Sequence, residues 1–323
     1  MKKIILINII IIIFLISSVE IFFRLVLNYN THGISKNLIY FENNYFFNNK
    51  NLLNAKAFGV KIYTDENGFR IPLRKRELKN SEKIFFIGGS GTFGPGVLAE
   101  NTFVEIINNK LKYNTYNASV FGSTLENNLK IFQQVIDQDT KHVFISLAFD
   151  DIDKEKRFNF KEIEQSNEEK FTEALKKKKL FLLLNKFLRS NFSIYVGFKN
   201  YLTDAPRRYY LNDMKIFENA DSIKKPILLL DKFSLNKDKI TFFILPFYEQ
   251  VKKENCYQKD VAEIFYENEL KKRNYNYIFF KDYFCEFKNN KNFYLKYDPA
   301  HLSKIGHEKI SSYLLNYINQ KLK

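Results

Sequence analysis

KIFFIGGSGTFG, residues 83–94, carries the fold assignment of this chain. Lys83 to Gly88 is a short apolar run stopped by glycines, which predicts a buried strand. Gly88 to Gly94 then forms a loop at the C-terminal end of that strand, where open α/β sheets bind ligands. Downstream the pattern repeats. Ala99 to Leu111 has helical spacing in Phe103, Ile106, Ile107 and Leu111. Tyr113 to Ala118 reads as a second strand and Leu125 to Ile136 as a second helix. His142 to Ala148, Lys239 to Pro246 and Tyr275 to Phe280 supply three more apolar runs. Helical patterns follow over 258–272 and from about Ser303 to Leu322. Strands alternating with helices predict an α/β fold: a mainly parallel five-stranded sheet, doubly wound, with helices on both faces.

Upstream, Lys2 and Lys3 precede an apolar run from Ile4 to Val19, broken by Asn8 and ending near Ser17 and Ser18. Apolar residues continue to Leu27 with Glu20 and Arg24 embedded one turn apart, so that they can pair at an interface. About 20 such residues span a bilayer as a helix. The alternative is a cleaved signal peptide, for which Ser17 and Val19 make a poor cleavage site. Residues 1–27 are read as an uncleaved transmembrane anchor. Either way the lysine pair stays cytoplasmic and the main domain, residues 81–323, lies on the extracytoplasmic side of the cytoplasmic membrane. Residues 28–80, aromatic- and Asn-rich with a turn at Asp65-Glu66-Asn67-Gly68, are read as a juxtamembrane segment packing on that domain.

Between Asp151 and Lys239 the alternation stops, which marks a helical insertion over about 152–238. It contains Lys176 to Lys179 followed by LFLLLNKFL, a basic amphipathic helix. Such a helix suits a lid packed on the domain, or a surface that touches anionic lipid or polymer. No internal repeat is visible.

Composition narrows the function classes. The formal charge of +15 invites a nucleic-acid partner, but nearly all the basic residues are Lys, amid heavy Asn, Ile, Phe and Tyr usage. A diffuse lysine coat is a solvated surface, and export removes nucleic acid as the partner. Two cysteines in 323 residues exclude a disulfide scaffold and a multi-cysteine zinc array. A helix running antiparallel to the following strand would bring Cys256 and Cys285 to one end of the sheet. A structural disulfide is therefore feasible, and neither cysteine has a base motif beside it that would mark a catalytic thiol.

The glycine loop has two readings. Gly89-x-Gly91-x-x-Gly94 formally matches the dinucleotide fingerprint, which needs an acidic residue near the end of the second strand. That strand ends Tyr116-Asn117-Ala118-Ser119, without Asp or Glu, and the loop lacks the Lys of a phosphate-binding loop. In the other reading Ser90 is a nucleophile at a strand-to-loop turn. Its hydroxyl needs a base, and the chain has four histidines: His32, His142, His301 and His307. His32 lies near the membrane segment, His142 opens a strand away from the expected site, and His307 falls inside the last helix, where histidine is usually structural. His301 belongs to Asp298-Pro299-Ala300-His301, a compact turn in which a carboxylate can orient an imidazole.

Taken in order, these residues resemble the SGNH (GDSL-like) hydrolase family in its membrane-anchored bacterial form. Gly89-Ser90-Gly91-Thr92-Phe93-Gly94 is similar to the first family block, with Gly89 in place of Asp. Asn117 to Gly122 is similar to the second, where Gly122 matches an oxyanion-hole glycine. Asp298 and His301 match the last block, followed by Leu302 and Gly306-His307. Asn67-Gly68-Phe69-Arg70, ahead of the first strand, resembles the corresponding segment of membrane-anchored members. The third block departs: Leu147-Ala148-Phe149-Asp150-Asp151 puts Asp150 where the family has an Asn that donates to the oxyanion. An ionised carboxylate cannot donate, and losing one such donor costs about 10²–10³ in rate. Asp150 either donates when protonated by burial or points away, leaving the Ser90 and Gly122 amides.

The resemblance implies a flavodoxin-like fold and a triad of Ser90, His301 and Asp298 with no metal or organic cofactor. It implies a serine esterase acting on an O-acyl, especially O-acetyl, ester of a cell-envelope glycan. With a sugar hydroxyl in place of water the same residues make a polysaccharide O-acyltransferase, for which a membrane acyltransferase would be a fitting partner. With Asp150 blocking turnover, the chain would instead be a glycan-binding or assembly protein.

Overall fold

A computed structural model describes residues 2–74, 79, 82–149, 172–203, 205–252, 256–296, 298 and 300–322. Ten strands occur among them. β1 (Ile39–Glu42) and β2 (Tyr45–Asn48) form a small antiparallel hairpin. β3 (Ala55–Ala57), β4 (Val60–Thr64), β5 (Arg70–Ile71), β6 (Lys83–Ile87), β7 (Asn114–Asn117), β8 (Thr140–Ser146), β9 (Ile240–Ile244) and β10 (Asn276–Phe279) form one sheet in the order β10-β9-β8-β6-β7-β5-β4-β3.

The five strands expected from the apolar runs are β6 to β10, all parallel. Their order places β7 on one side of β6 and β8 to β10 on the other, the flavodoxin-like arrangement. β3, β4 and β5 widen the sheet to eight strands by antiparallel pairing, joined to β7 at Arg70 and Asn117. These three strands are two to five residues long, too short for an apolar run to reveal them.

Side chains alternate across the parallel strands and so build two separate cores. Phe85, Ile87, Val143, Ile145, Phe242 and Ile244 face helices Leu125–Val135, Ala205–Phe217, Ala220–Asp231 and Val261–Lys272. Ile84, Phe86, Phe144, Phe243 and Ile278 face helices Phe103–Lys110, Phe280–Cys285 and Lys304–Lys321. Burial on both faces explains why β6, β8 and β9 are rich in apolar residues.

The helix expected over 99–111 is divided at Thr102. A 3-10 turn, Ala99–Asn101, ends there, and the Thr102 hydroxyl accepts from the Glu105 amide to start Phe103–Lys110. The insertion is helical over its described part, with Thr172–Asn191, Ser193–Thr203, Ala205–Phe217 and Ala220–Asp231. Residues 150–171 lie outside the described residues, Asp150 with them. The N-terminal helix, Lys2–Leu25, is long and apolar enough to cross a membrane, and none of its residues is buried.

Cys256 and Cys285 are joined in a disulfide, with Cα atoms 5.9 Å apart. It ties the segment before helix Val261–Lys272 to the end of Phe280–Cys285, closing a loop that contains β10. A loop of this length restricts the unfolded chain by about 3–4 kcal/mol. The double variant Cys256→Ala/Cys285→Ala is expected to lose about that much stability in denaturant unfolding, with native far-UV dichroism retained.

Candidate active site

Ser90 is the first residue of a single helical turn, Ser90–Phe93, that begins directly after β6 and Gly88-Gly89. A Cβ on Gly88 would lie 2.6 Å from both Ser146 Cβ and Thr92 Oγ1. The glycine therefore lets β6 run close against β8 while the chain turns sharply enough to expose Ser90. The Asp298–His301 loop approaches from the C-terminal side. Its base is closed by a bridge between Tyr294 and Leu302, with the Leu295 amide donating to the His301 carbonyl at 2.9 Å.

His301 Nε2 lies 2.8 Å from Ser90 Oγ. His301 Nδ1 lies 2.9 and 2.8 Å from the two Asp298 carboxylate oxygens. An ionised carboxylate only accepts, so the imidazole proton sits on Nδ1 and Nε2 is free to accept from the serine. The Ala300 and His301 backbone amides also donate to Asp298 Oδ1, at 3.0 and 2.9 Å. Burial works to raise the Asp298 carboxyl, but attraction to His301 and its hydrogen bond, together with His32 and the Ala300 amide, outweigh it. The group is held below the ordinary carboxylate range and remains ionised.

Gly122 has φ +78°, and a Cβ there would meet nothing within 4 Å. Its loop is fixed to that of Ser90 through Asn117, whose amide donates to the Thr92 carbonyl at 3.3 Å and whose side-chain oxygen accepts from the Ser119 amide. The Val120 amide donates to the Gly88 carbonyl at 2.9 Å. Ser90, His301, Asp298 and the Gly122 loop therefore meet at one sheet edge, while Asp150 lies outside the described residues. Among the described residues, no group of three or more His, Cys, Asp or Glu side chains is placed to hold a metal ion.

Three neighbours of the site escape sequence reasoning. Phe58 occupies the two-residue turn between β3 and β4, with φ +52°, a strained conformation for an aromatic residue. Its ring meets the His301 ring edge-on at 5.0 Å and stacks on His32 at 4.9 Å. The His32 side chain is shielded from solvent, and its Nε2 stands 3.8 Å from Asp298 Oδ2. Arg189, on helix Thr172–Asn191, donates to His32 Nδ1 at 3.0 Å, which leaves the imidazole proton on Nε2, facing the carboxylate. The Arg189 carbonyl also accepts from the His32 amide at 2.8 Å. The only sequence signal for these contacts is the rarity of histidine, which made His32 worth placing.

No family model matches the chain, and no curated protein does. Solved structures with a similar fold include a lipase/acylhydrolase from Enterococcus faecalis, at 13% identity and TM-score 0.43, covering 75% of this chain and 97% of that one. A member of the lipolytic protein G-D-S-L family from Veillonella parvula has 12% identity and TM-score 0.41, covering 74% and 98%. An acetyl xylan esterase has 11% identity and TM-score 0.40, covering 73% and 99%. Likeness of this order extends to the outline of the fold and no further.

His142 and His307 are buried, and the His32 side chain is 7% exposed. Desolvation pushes His32 down to about 4, and His142 and His307 down to about 3, from an ordinary 6.5. At His307 a hydrogen bond acts in the same direction: Nδ1 accepts from the Phe103 amide at 3.2 Å, a bond that protonation of Nδ1 would break. All three are neutral in the folded protein at pH 5, whereas in the unfolded chain they are protonated. The unfolded state thus binds more protons, and stability falls as pH drops from about 6.5 toward 4. The expected loss is on the order of 2 kcal/mol per histidine at pH 5. Denaturant midpoints at pH 7.5 and pH 5 check this: the midpoint should fall, and equal midpoints would contradict the neutral assignment.

Proposed function

We propose that this chain is a serine ester hydrolase of the SGNH type. The observation that carries this reading is the continuous path from Ser90 Oγ through His301 to Asp298, made of contacts of 2.8 to 2.9 Å. His301 Nε2 takes the proton of Ser90 as its oxygen attacks the ester carbonyl, and Asp298 stabilises the resulting imidazolium. The oxyanion is received by the Ser90 and Gly122 backbone amides, with room for substrate on the open side of Gly122. His301 then returns the proton to the leaving alcohol oxygen, which leaves an acyl group on Ser90. Water, deprotonated by His301, attacks that ester, and the acid and free Ser90 result. A glycan hydroxyl in place of water makes the same cycle an O-acyl transfer.

The substrate class is an O-acyl ester on a cell-envelope glycan, with the chain held by its N-terminal helix and its main domain on the extracytoplasmic side. The sequence resemblance and the apolar helix support this extension.

A fluorophosphonate probe is expected to label Ser90 in the full chain, and labelling should vanish in Ser90→Ala. Ser90→Ala and His301→Ala should each lower hydrolysis of a p-nitrophenyl ester by at least about 10³-fold with the fold intact. A folded wild-type protein that takes no label would favour the glycan-binding alternative. Asp150→Asn is expected to raise turnover, by up to about 10²-fold, if residue 150 faces the oxyanion. Unchanged turnover would remove Asp150 from the oxyanion hole.

A further inference from the structure

Helix Thr172–Asn191 presents a surface that no described part of the chain covers. Leu180, Phe181, Leu182, Leu183 and Leu184 are between 39% and 68% exposed, and Phe187 is exposed as well. Five consecutive residues at about 100° each pass the whole way round a helix. A helix lying on a protein core shows an apolar stripe on one side, whereas this turn is apolar and open on every side. Scattered exposed leucines need no explanation, but a contiguous set of this kind marks an interaction surface.

The patch continues onto neighbouring elements. Phe198, Tyr201 and Leu202 are exposed on the next helix, Ser193–Thr203, and Phe22, Leu25 and Val26 at the end of the N-terminal segment. These elements are bonded together. The Glu20 carboxylate accepts from the Ser193 and Ile194 amides at 2.8 and 3.0 Å, which caps helix Ser193–Thr203. Arg24 donates to the Asn191 carbonyl at the end of the preceding helix. The Phe23 ring stacks on Phe198 at 6.1 Å. A Cβ on Gly197 would lie 2.7 Å from that Phe23 ring, so the glycine permits the close crossing. Glu20 and Arg24 are the charged pair embedded near the C-terminal end of the long apolar helix. The helix pair is attached at that level.

We propose that helices Thr172–Asn191 and Ser193–Thr203 are seated in the surface of the same lipid bilayer that the N-terminal helix enters, with Leu180 to Leu184 and Phe187 meeting the acyl chains. Continuity with the apolar N-terminal helix selects lipid as the occupant. Charge agrees with this choice: Lys176 to Lys179 directly precede Leu180 in the sequence, a run suited to anionic headgroups. The polar end of the helix turns back to the protein, where Arg189 holds His32. The seating requires no catalytic activity, and it rests on the reading of the N-terminal helix as an anchor.

The test uses the full chain in vesicles of phosphatidylcholine and phosphatidylglycerol. Single cysteines carry an environment-sensitive fluorophore, and the two native cysteines, joined to each other, do not react. Leu183→Cys reports on the patch. Leu228→Cys, exposed on helix Ala220–Asp231, is the aqueous control, and Ile10→Cys reports on the anchor. Brominated lipid should quench Leu183→Cys and Ile10→Cys several-fold more than Leu228→Cys, and iodide should do the reverse. Quenching at Ile10→Cys with water-like emission at Leu183→Cys would overturn the seating while leaving the anchor in place. Shielded emission at Leu183→Cys without lipid quenching, accompanied by cross-linking between two copies through that cysteine, would also overturn it. Loss of lipid quenching at both positions would remove the anchor and the seating together.

Discussion

A buried arginine holds the candidate site of this protein together. Arg70 is almost fully buried, and its guanidinium donates to the carbonyls of Phe93, Gly94 and Val97 while lying 5.0 Å over the Phe93 ring. Taking such a charge out of water costs several kcal/mol unless fixed dipoles replace the solvent. Desolvation accordingly brings the group down to about 9, against a favourable pull from Glu100. The three carbonyls belong to the turn that follows Ser90, so that turn cannot rearrange without stripping a buried cation of its partners. On its other side Arg70 is in β5, paired with Asn117 on β7. Asn117 in turn bonds the Ser90 and Gly122 loops together. One desolvated side chain thus helps set the positions of both the Ser90 and the Gly122 loops.

What could be read in the sequence, and what could not, follows from the range of the interactions. β6, β8 and β9 were legible because a strand buried on both faces is rich in apolar residues. Asp298 and His301 were legible because their contact is made within one turn of chain. Ser90 was legible through the glycines that its tight approach to β8 requires. Phe58, His32 and Arg189 were not, because nothing local distinguishes them. Their roles arise only when a hairpin and an insertion far apart in the chain close on the Asp298 loop. β3 to β5 escaped for a similar reason: each is stabilised by the sheet it joins rather than by its own pattern.

The N-terminal region is consequently part of the site. Phe58, in a strained left-handed turn, keeps water from the rings of His32 and His301, and the cost of its backbone conformation, of order 1–3 kcal/mol, is met by that packing. The second histidine presents a neutral N–H edge to the far side of the carboxylate, so Asp298 has polar neighbours on both flanks despite its burial.

The clasp between Arg189 and His32 also sets a height. Arg189 stands five residues beyond Leu184 on one continuous helix, a rise of about 8 Å. With the leucine turn in lipid as proposed, Ser90 would be held close to the bilayer surface, whatever the length of any tether. A site mounted this way would have almost no vertical reach. On the proposed ester-hydrolase reading it would serve esters that are themselves delivered to the membrane surface, and distance would become a selector of substrate.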